Sequence, residues 1–165
     1  MNDKSNQLLA QVSPALAAKI VNAAALMLAG KGIEIRVIQG LRTTSQQDAL
    51  YAQGRTLPGK VVTNARGGQS SHNFGLAVDV VPGVAGLATW TPQWSARAPE
   101  FVAMVTALKR QGLAWGGDWV HIPGDFDHFY LANSPATPTD AMRADLATGL
   151  PLVFSRCDAG AYTEV

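Results

Sequence analysis

A carboxylate interrupts an apolar strand in this chain. Leu76-Ala77-Val78-Asp79-Val80-Val81 reads as a strand. Leu76, Val78 and Val80 share one face and turn into a core. Asp79 shares the other face with Ala77, and a small neighbour leaves room beside the carboxylate for an ion. His72 lies seven residues upstream. That separation does not suit one helix face, which needs about four. On one uninterrupted strand an odd separation puts the two side chains on opposite faces. Gly75 can turn the backbone between them, with His72 on the entering loop and Asp79 on the strand.

The second chemically loaded segment is Asp125-Phe126-Asp127-His128-Phe129-Tyr130. His128 and Tyr130 share one face of a short strand; Phe129 and Leu131 share the other. Two histidines and one carboxylate make a three-ligand zinc set with a fourth position open to water. Such an ion lowers the pKa of water to about 7 and polarises a carbonyl. Asp125, three residues before His128, is placed to act as general base. Asp127 could orient the His128 imidazole. His121 reads as a loop histidine and is the remaining substitute ligand. Spacing alone leaves a second reading open, because a lone His or Asp at a strand end is commonly a hydrogen-bonded structural residue.

Composition narrows the classes. At 165 residues, the chain is long enough for one core and one domain. With 47% hydrophobic and 15% charged residues it is not a disordered chain. A net charge of +1 carries no basic footprint for nucleic acid. That +1 hides a split: eight Lys+Arg against three Asp+Glu up to Arg66, and five against nine from Gly67 onward. The single cysteine, Cys157, excludes an intramolecular disulfide and a thiolate zinc cluster. The most apolar run, Ile20 to Gly30, is far short of the roughly 20 residues that span a bilayer. No signal peptide is evident, so synthesis in the cytoplasm is expected, with no stable membrane insertion.

Helices and strands mix without βαβ rhythm, which predicts an α+β fold. Ser13-Pro14 opens a helix with Leu16, Ile20, Ala23, Ala24 and Met27 as its apolar stripe, ended by Gly30 and Gly32. Ile33 to Val37 alternates as a strand. Thr44 with Gln47 predicts a capping box for a helix over Ser45 to Gln53. Arg55 to Ser71 is a long loop, and loops of that length are usually functional or mobile. Pro99 opens a helix that stops at Gly112. Leu113 to Trp115 and His128 to Leu131 read as short strands, and Asp140 to Thr148 as a short helix.

Taken together, these motifs resemble a known group. Ser70-x-His72-x-x-Gly75-x-Ala77-x-Asp79, then Asp125-x-x-His128-Phe129, is similar to the signature of the zinc D,D-peptidase family, which includes the vancomycin-resistance peptidases. Within it the chain looks most like the L-alanyl-D-glutamate endopeptidases of phage endolysin type. That likeness extends through Gly40-Leu41-Arg42-Thr43, Gln46, Leu50-Tyr51-Ala52-Gln53-Gly54-Arg55, Val62-Thr63-Asn64-Ala65, Gly67-Gly68-Gln69 and Trp115-Gly116-Gly117-Asp118-Trp119. It covers about 12–131, most of the chain.

The resemblance implies a small antiparallel sheet flanked by helices, the Hedgehog/D,D-peptidase-like zinc peptidase fold. It implies His72, Asp79 and His128 as zinc ligands, Asp125 as catalytic base, and Arg42 as the arginine that binds substrate carboxylate or steadies an oxyanion. Ser70 and Gln46 are candidates for substrate hydrogen bonds, although either could cap a turn or helix. Trp115 and Trp119 are candidates for the cleft wall. The expected organisation is one catalytic domain over 1–165, with 132–165 packed on it or partly mobile. The expected activity is zinc-dependent hydrolysis of peptidoglycan stem peptides at the L-alanyl-D-glutamate bond by a monomer, causing wall lysis after holin-type release or effector delivery. Two alternatives remain: a D-alanyl-D-alanine carboxypeptidase or dipeptidase with the same chemistry, and a non-catalytic zinc-binding module of the same fold.

Overall fold

A computed structural model of the chain describes residues 1–85, 90–120 and 124–162. Four antiparallel strands form one sheet: β1 (Ile33–Gln39), β2 (Ala77–Val84), β3 (Leu113–Trp115) and β4 (His128–Leu131), in the order β1-β2-β4-β3. Six helices surround it: α1 (Asp3–Leu9), α2 (Pro14–Lys31), α3 (Thr44–Ala52), α4 (Pro99–Arg110), α5 (Asp140–Thr148) and α6 (Leu150–Asp158). This is the α+β arrangement expected from the sequence. Among the described residues, no helix is long and apolar enough to cross a membrane.

The main layer is α2 against the sheet. Ser13 caps α2 by accepting from the Leu16 amide, and Pro14 occupies its first turn. The buried positions of α2 are Leu16, Ile20, Ala23, Ala24 and Met27, the stripe read from the spacing. Gly32, at φ 64°, ends the helix in the left-handed conformation, and its amide donates to Leu28 and Met27 carbonyls. Phe101, Met104 and Leu108 of α4 join the same core with Val78, Val80 and Phe129 of the sheet. Full burial of each such side chain contributes about 1.5–3 kcal/mol.

β1 is an edge strand with two features the sequence concealed. Helix α1 lies beside it, and the buried Ser5 hydroxyl accepts from the Val37 amide at 3.1 Å, satisfying an edge donor. Beyond Val37 the register with β2 shifts. Val37 pairs with Val80 and Gln39 with Asp79, leaving Ile38 as an extra residue in a bulge.

The segment after Leu131 packs on the rest of the chain. Met142, Val153, Cys157 and Tyr162 are buried in the common core. The Asn133 amide donates to the Cys157 carbonyl at 2.9 Å, and the Tyr162 hydroxyl donates to Asp145 at 2.6 Å. Phe154 covers Gly75. A Cβ there would lie 3.0 Å from the Phe154 ring, and Gly75 also holds φ 63°. The positive φ favours glycine, and a side chain there would also press on the Phe154 ring.

The helix over Ser45 to Gln53 begins one residue earlier than the expected capping box placed it. Thr43 is the cap, accepting from the Gln46 amide, and Gln46 returns the bond to the Thr43 amide at 2.9 Å. A shift of one residue rotates the helix face by about 100°, which decides where Gln46 and Gln47 point.

Candidate active site

His72 sits in a 3-10 turn, Ser71–Phe74, at the entry to β2. The turn is pinned by the buried Asn73, whose amide nitrogen donates to the Arg42 carbonyl at 2.9 Å and whose oxygen accepts from the Gly68 amide at 3.0 Å. The Arg42 amide donates to the His72 carbonyl at 3.0 Å, so the segment after β1 and the turn before β2 are laced together.

Nδ1 of His72 lies 2.8 Å from the Gly40 carbonyl oxygen. A carbonyl only accepts, so Nδ1 carries the proton and Nε2 presents its lone pair. That lone pair faces Asp79 Oδ1 at 3.1 Å and His128 Nδ1 at 3.1 Å. Asp79 and His128 are cross-strand partners in the β2–β4 ladder, and their atoms close the triangle at 3.3 Å. Tetrahedral zinc with ligand bonds of about 2.0–2.1 Å has ligand–ligand edges of about 3.3 Å. The triangle therefore fits one small divalent cation, and the donor set of two imidazoles and a carboxylate suits zinc.

Burial by itself would raise the Asp79 carboxyl, but protonated imidazoles at His72 and His128, through charge and hydrogen bonds, outweigh it and hold the group well below the usual carboxylate range. The second Asp79 oxygen lies 3.8 Å from Arg42 Nη2. Arg42 is mostly buried, which lowers its pKa against the opposing pull of Asp79 and Asp125. Its Nη1 donates at 2.8 Å to Oε1 of Gln47, which is fully buried. Gln47 donates in turn to the Ala65 carbonyl at 2.8 Å.

A cleft of about 570 Å³ opens over the triangle. Arg42, Ser70, Asp125, Asp127 and Trp119 line it, with Leu50 and the Val61–Ala65 stretch of the long loop. Asp125 is half-buried, and burial raises its carboxyl, with Asp79 adding to the rise and His128 opposing it. Asp127 is pushed up to about 6, chiefly by burial and then by Asp79. The loop carrying Asp125 can approach because residue 116 is glycine. A Cβ at Gly116 would meet the Asp125 carbonyl oxygen at 2.5 Å. Trp115 pins the same loop by donating to the Phe126 carbonyl at 2.6 Å.

The structure thus brings His72, Asp79, His128, Asp125, Arg42 and Ser70 to one cleft. Ser70 lines it and also caps the 3-10 turn by accepting from the His72 amide at 3.4 Å. Gln46 is not among the lining residues: its side chain closes the helix cap on the exposed side. Trp119 lines the cleft with its ring 5.1 Å from His128, whereas Trp115 packs against Phe129. Asp127 does not orient His128, whose Nδ1 faces the triangle and whose buried Nε2 has no partner among the described residues. His121 lies outside the described residues. The sequence reading gives Gln47 the capping role that Gln46 holds, because a glutamine near the start of a polar helix reads as a cap partner rather than a buried contact.

Comparison with known proteins agrees with the geometry. A family model described as D-alanyl-D-alanine carboxypeptidase matches residues 63–131, which hold the whole triangle and Asp125. The chain is 39% identical over 107 residues to the peptidoglycan L-alanyl-D-glutamate endopeptidase CwlK of Bacillus subtilis (strain 168). The chain is similar to this peptidase family over residues 63–131. The CwlK match takes in 62% of this chain and 64% of that relative's length. Two solved structures share the fold of this chain. The L-Ala D-Glu endopeptidase ChiX of Serratia marcescens is 22% identical, with a TM-score of 0.50 over 79% of this chain and 88% of that one. The vancomycin resistance D,D-pentapeptidase VanY, an E175A mutant in complex with Zn(II), is 18% identical, with a TM-score of 0.52 over 86% and 81%.

Proposed function

We propose that this protein is a zinc metallopeptidase that hydrolyses peptidoglycan stem peptides at the L-alanyl-D-glutamate bond. The observation that carries the reading is the triangle of ligand atoms, 3.1, 3.1 and 3.3 Å on its edges, at the floor of a cleft lined by a carboxylate and an arginine. His72 Nε2, Asp79 Oδ1 and His128 Nδ1 would hold the ion. Zinc supplies Lewis acidity toward the scissile carbonyl and the attacking water. The identity to CwlK supports the choice of bond.

The chain's own groups supply the rest. Asp125 accepts a proton from the attacking water at its carboxylate and returns it to the leaving amine. Arg42, fixed by Gln47, directs its guanidinium at the carboxylate or oxyanion of the substrate. Gly40 keeps His72 in the tautomer that binds metal. Ser70 offers a hydroxyl at the cleft wall. The protein acts as a single catalytic unit and a monomer, in a lytic role on the wall, such as that of a phage lysin or a delivered effector.

Digestion of purified muropeptides followed by mass spectrometry tests the bond. A new D-glutamate amino terminus is expected. Loss of terminal D-alanine alone would instead assign the activity named by the family model. Asp125→Ala is expected to keep zinc and lose hydrolysis by about 10²–10⁴-fold. Unchanged lysis of permeabilised cells by that variant would refute the base assignment.

A further inference from the structure

The cleft has a wall that lies beyond the residues matched by the family model, which end at 131. Ala136 and Thr137 are exposed and line the cleft, although they belong to the strap between β4 and α5. The strap is not a loose connection. Ser134 is buried and its hydroxyl donates to the Leu131 carbonyl at 2.7 Å, fixing the strap to the end of β4. Thr139 caps α5 by accepting from the Met142 amide, and Met142 is fully buried. Between these anchors the strap meets the turn that holds His72. The Ser71 hydroxyl donates to the Ala136 carbonyl at 3.4 Å. Arg143 donates to the Pro138 carbonyl at 2.8 Å and to the Gly68 carbonyl at 3.4 Å, joining the strap to the loop before the turn.

We propose that residues 132–139 form a preset wall of the substrate cleft, that Ala136 and Thr137 touch the bound peptide, and that Arg143 is the positioning residue that holds this wall. The proposal rests on the stem-peptide reading above. A segment tied at four places, Ser134, Ala136, Pro138 and Thr139, presents its surface without an ordering cost at binding, which is how a wall contributes to affinity and to the shape of ligand admitted. Arg143 does not line the cleft, so its effect passes through the strap. The strap therefore shapes binding and leaves the chemistry to the triangle and Asp125.

The test uses the full zinc-loaded chain and a synthetic stem pentapeptide that contains both candidate bonds. Affinity is measured by calorimetry in the non-hydrolysing Asp125→Asn background, and cleavage separately with Asp125 intact. Ala136→Trp places bulk on an exposed cleft residue and is expected to weaken pentapeptide binding at least about tenfold. Arg143→Met, which removes the clamp, is expected to weaken it about fivefold and, with Asp125 intact, to raise KM while leaving kcat within about twofold. Zinc content stays at one per chain in both. Ala132→Trp, exposed on the same segment but outside the cleft lining, leaves affinity unchanged. Wild-type affinity in Ala136→Trp, or an equal loss in Ala132→Trp, overturns the strap proposal while the hydrolytic reading stands. A protein that binds the pentapeptide but never cuts it removes the hydrolytic reading and leaves the strap to be judged by the affinities. Absence of any binding by the parent protein overturns both.

Discussion

Gln46 and Gln47 are adjacent and chemically identical, yet the fold gives them different tasks, and replacing each in turn separates those tasks. Gln47→Leu keeps most of the buried volume and removes three bonds: the acceptor for Arg42 Nη1 and the donor to the Ala65 carbonyl, both at 2.8 Å, and a longer donor to the Thr63 hydroxyl at 3.4 Å. A hydrogen bond to a charged group contributes about 1.5–3 kcal/mol, and a neutral one about 1 kcal/mol. Arg42 has a side chain only 13% exposed, so little water can replace the lost partner. The expected destabilisation is about 2–4 kcal/mol, or roughly 5–15 °C in Tm for a chain of this size. Displacing the guanidinium by about 1 Å is expected to lower kcat about 10²-fold. Gln46→Ala loses one exposed capping bond and is expected to cost about 0.5–1 kcal/mol with kcat unchanged. Gln47→Glu keeps an acceptor for Arg42 and gives up the donor to Ala65, so it should retain more of kcat than Gln47→Leu. Calorimetric melting and steady-state kinetics on all three decide the matter. Equal behaviour of Gln46→Ala and Gln47→Leu would refute the reasoning that Gln47 holds Arg42.

Further outcomes follow from the same geometry. Metal removal by a chelator should lower Tm, because ligand at about a thousand times its Kd contributes about 4 kcal/mol, or roughly 8–16 °C here; zinc add-back should restore it, and an unmoved Tm would count against a structural grip on the ion. Gly75→Ala places a side chain at φ 63° and 3.0 Å from the Phe154 ring, so a loss of about 2–3 kcal/mol and weaker zinc binding are expected, checked by denaturant melts and metal titration. Burial raises the Cys157 thiol to about 11, with Asp158 contributing. Its folded pKa exceeds the unfolded one, so the related stability is complete below about pH 9 and is lost as pH rises toward 11. Between pH 8 and 10.5 the wild type should lose about 2 kcal/mol more than Cys157→Ala in urea melts, and parallel curves would contradict that.

The fold was legible where apolar spacing was strong. The α2 stripe, β1, α4, β4 and α5 follow from periodicity and from Pro14, Pro99 and the glycine stops. Helix α1 was not legible, because within its seven residues only Ser5 and Leu9 are buried, too few to mark an apolar stripe. Helix α6 was missed for a related reason. Its buried residues, Val153 and Cys157, are too few to mark a period. The triangle was legible as residue types and strand parity, but the pairing of Asp79 opposite His128 is a property of the sheet, not of either segment. The strap was invisible because its partners Ser71 and Gly68 are 65 and 75 residues away in the chain, and the role of Gln47 was hidden because its burial depends on Ala65, 18 residues on.

The extra residue at Ile38 has a consequence for which lengths of chain this architecture can tolerate. The bulge sets the chain emerging from β1 so that the Gly40 carbonyl reaches His72 and the Arg42 amide reaches the same residue's carbonyl. Counting residues from Val37 to Thr43 is therefore equivalent to measuring the reach from sheet edge to metal site. One residue added or removed there would swing Gly40 and Arg42 out of reach together, and no compensating slip of β1 is open, since a slip of one turns Ile35 and Val37 from the core to the opposite face. Insertions belong instead just after α3, near the exposed Leu57, before the chain reaches the cleft lining at Val61.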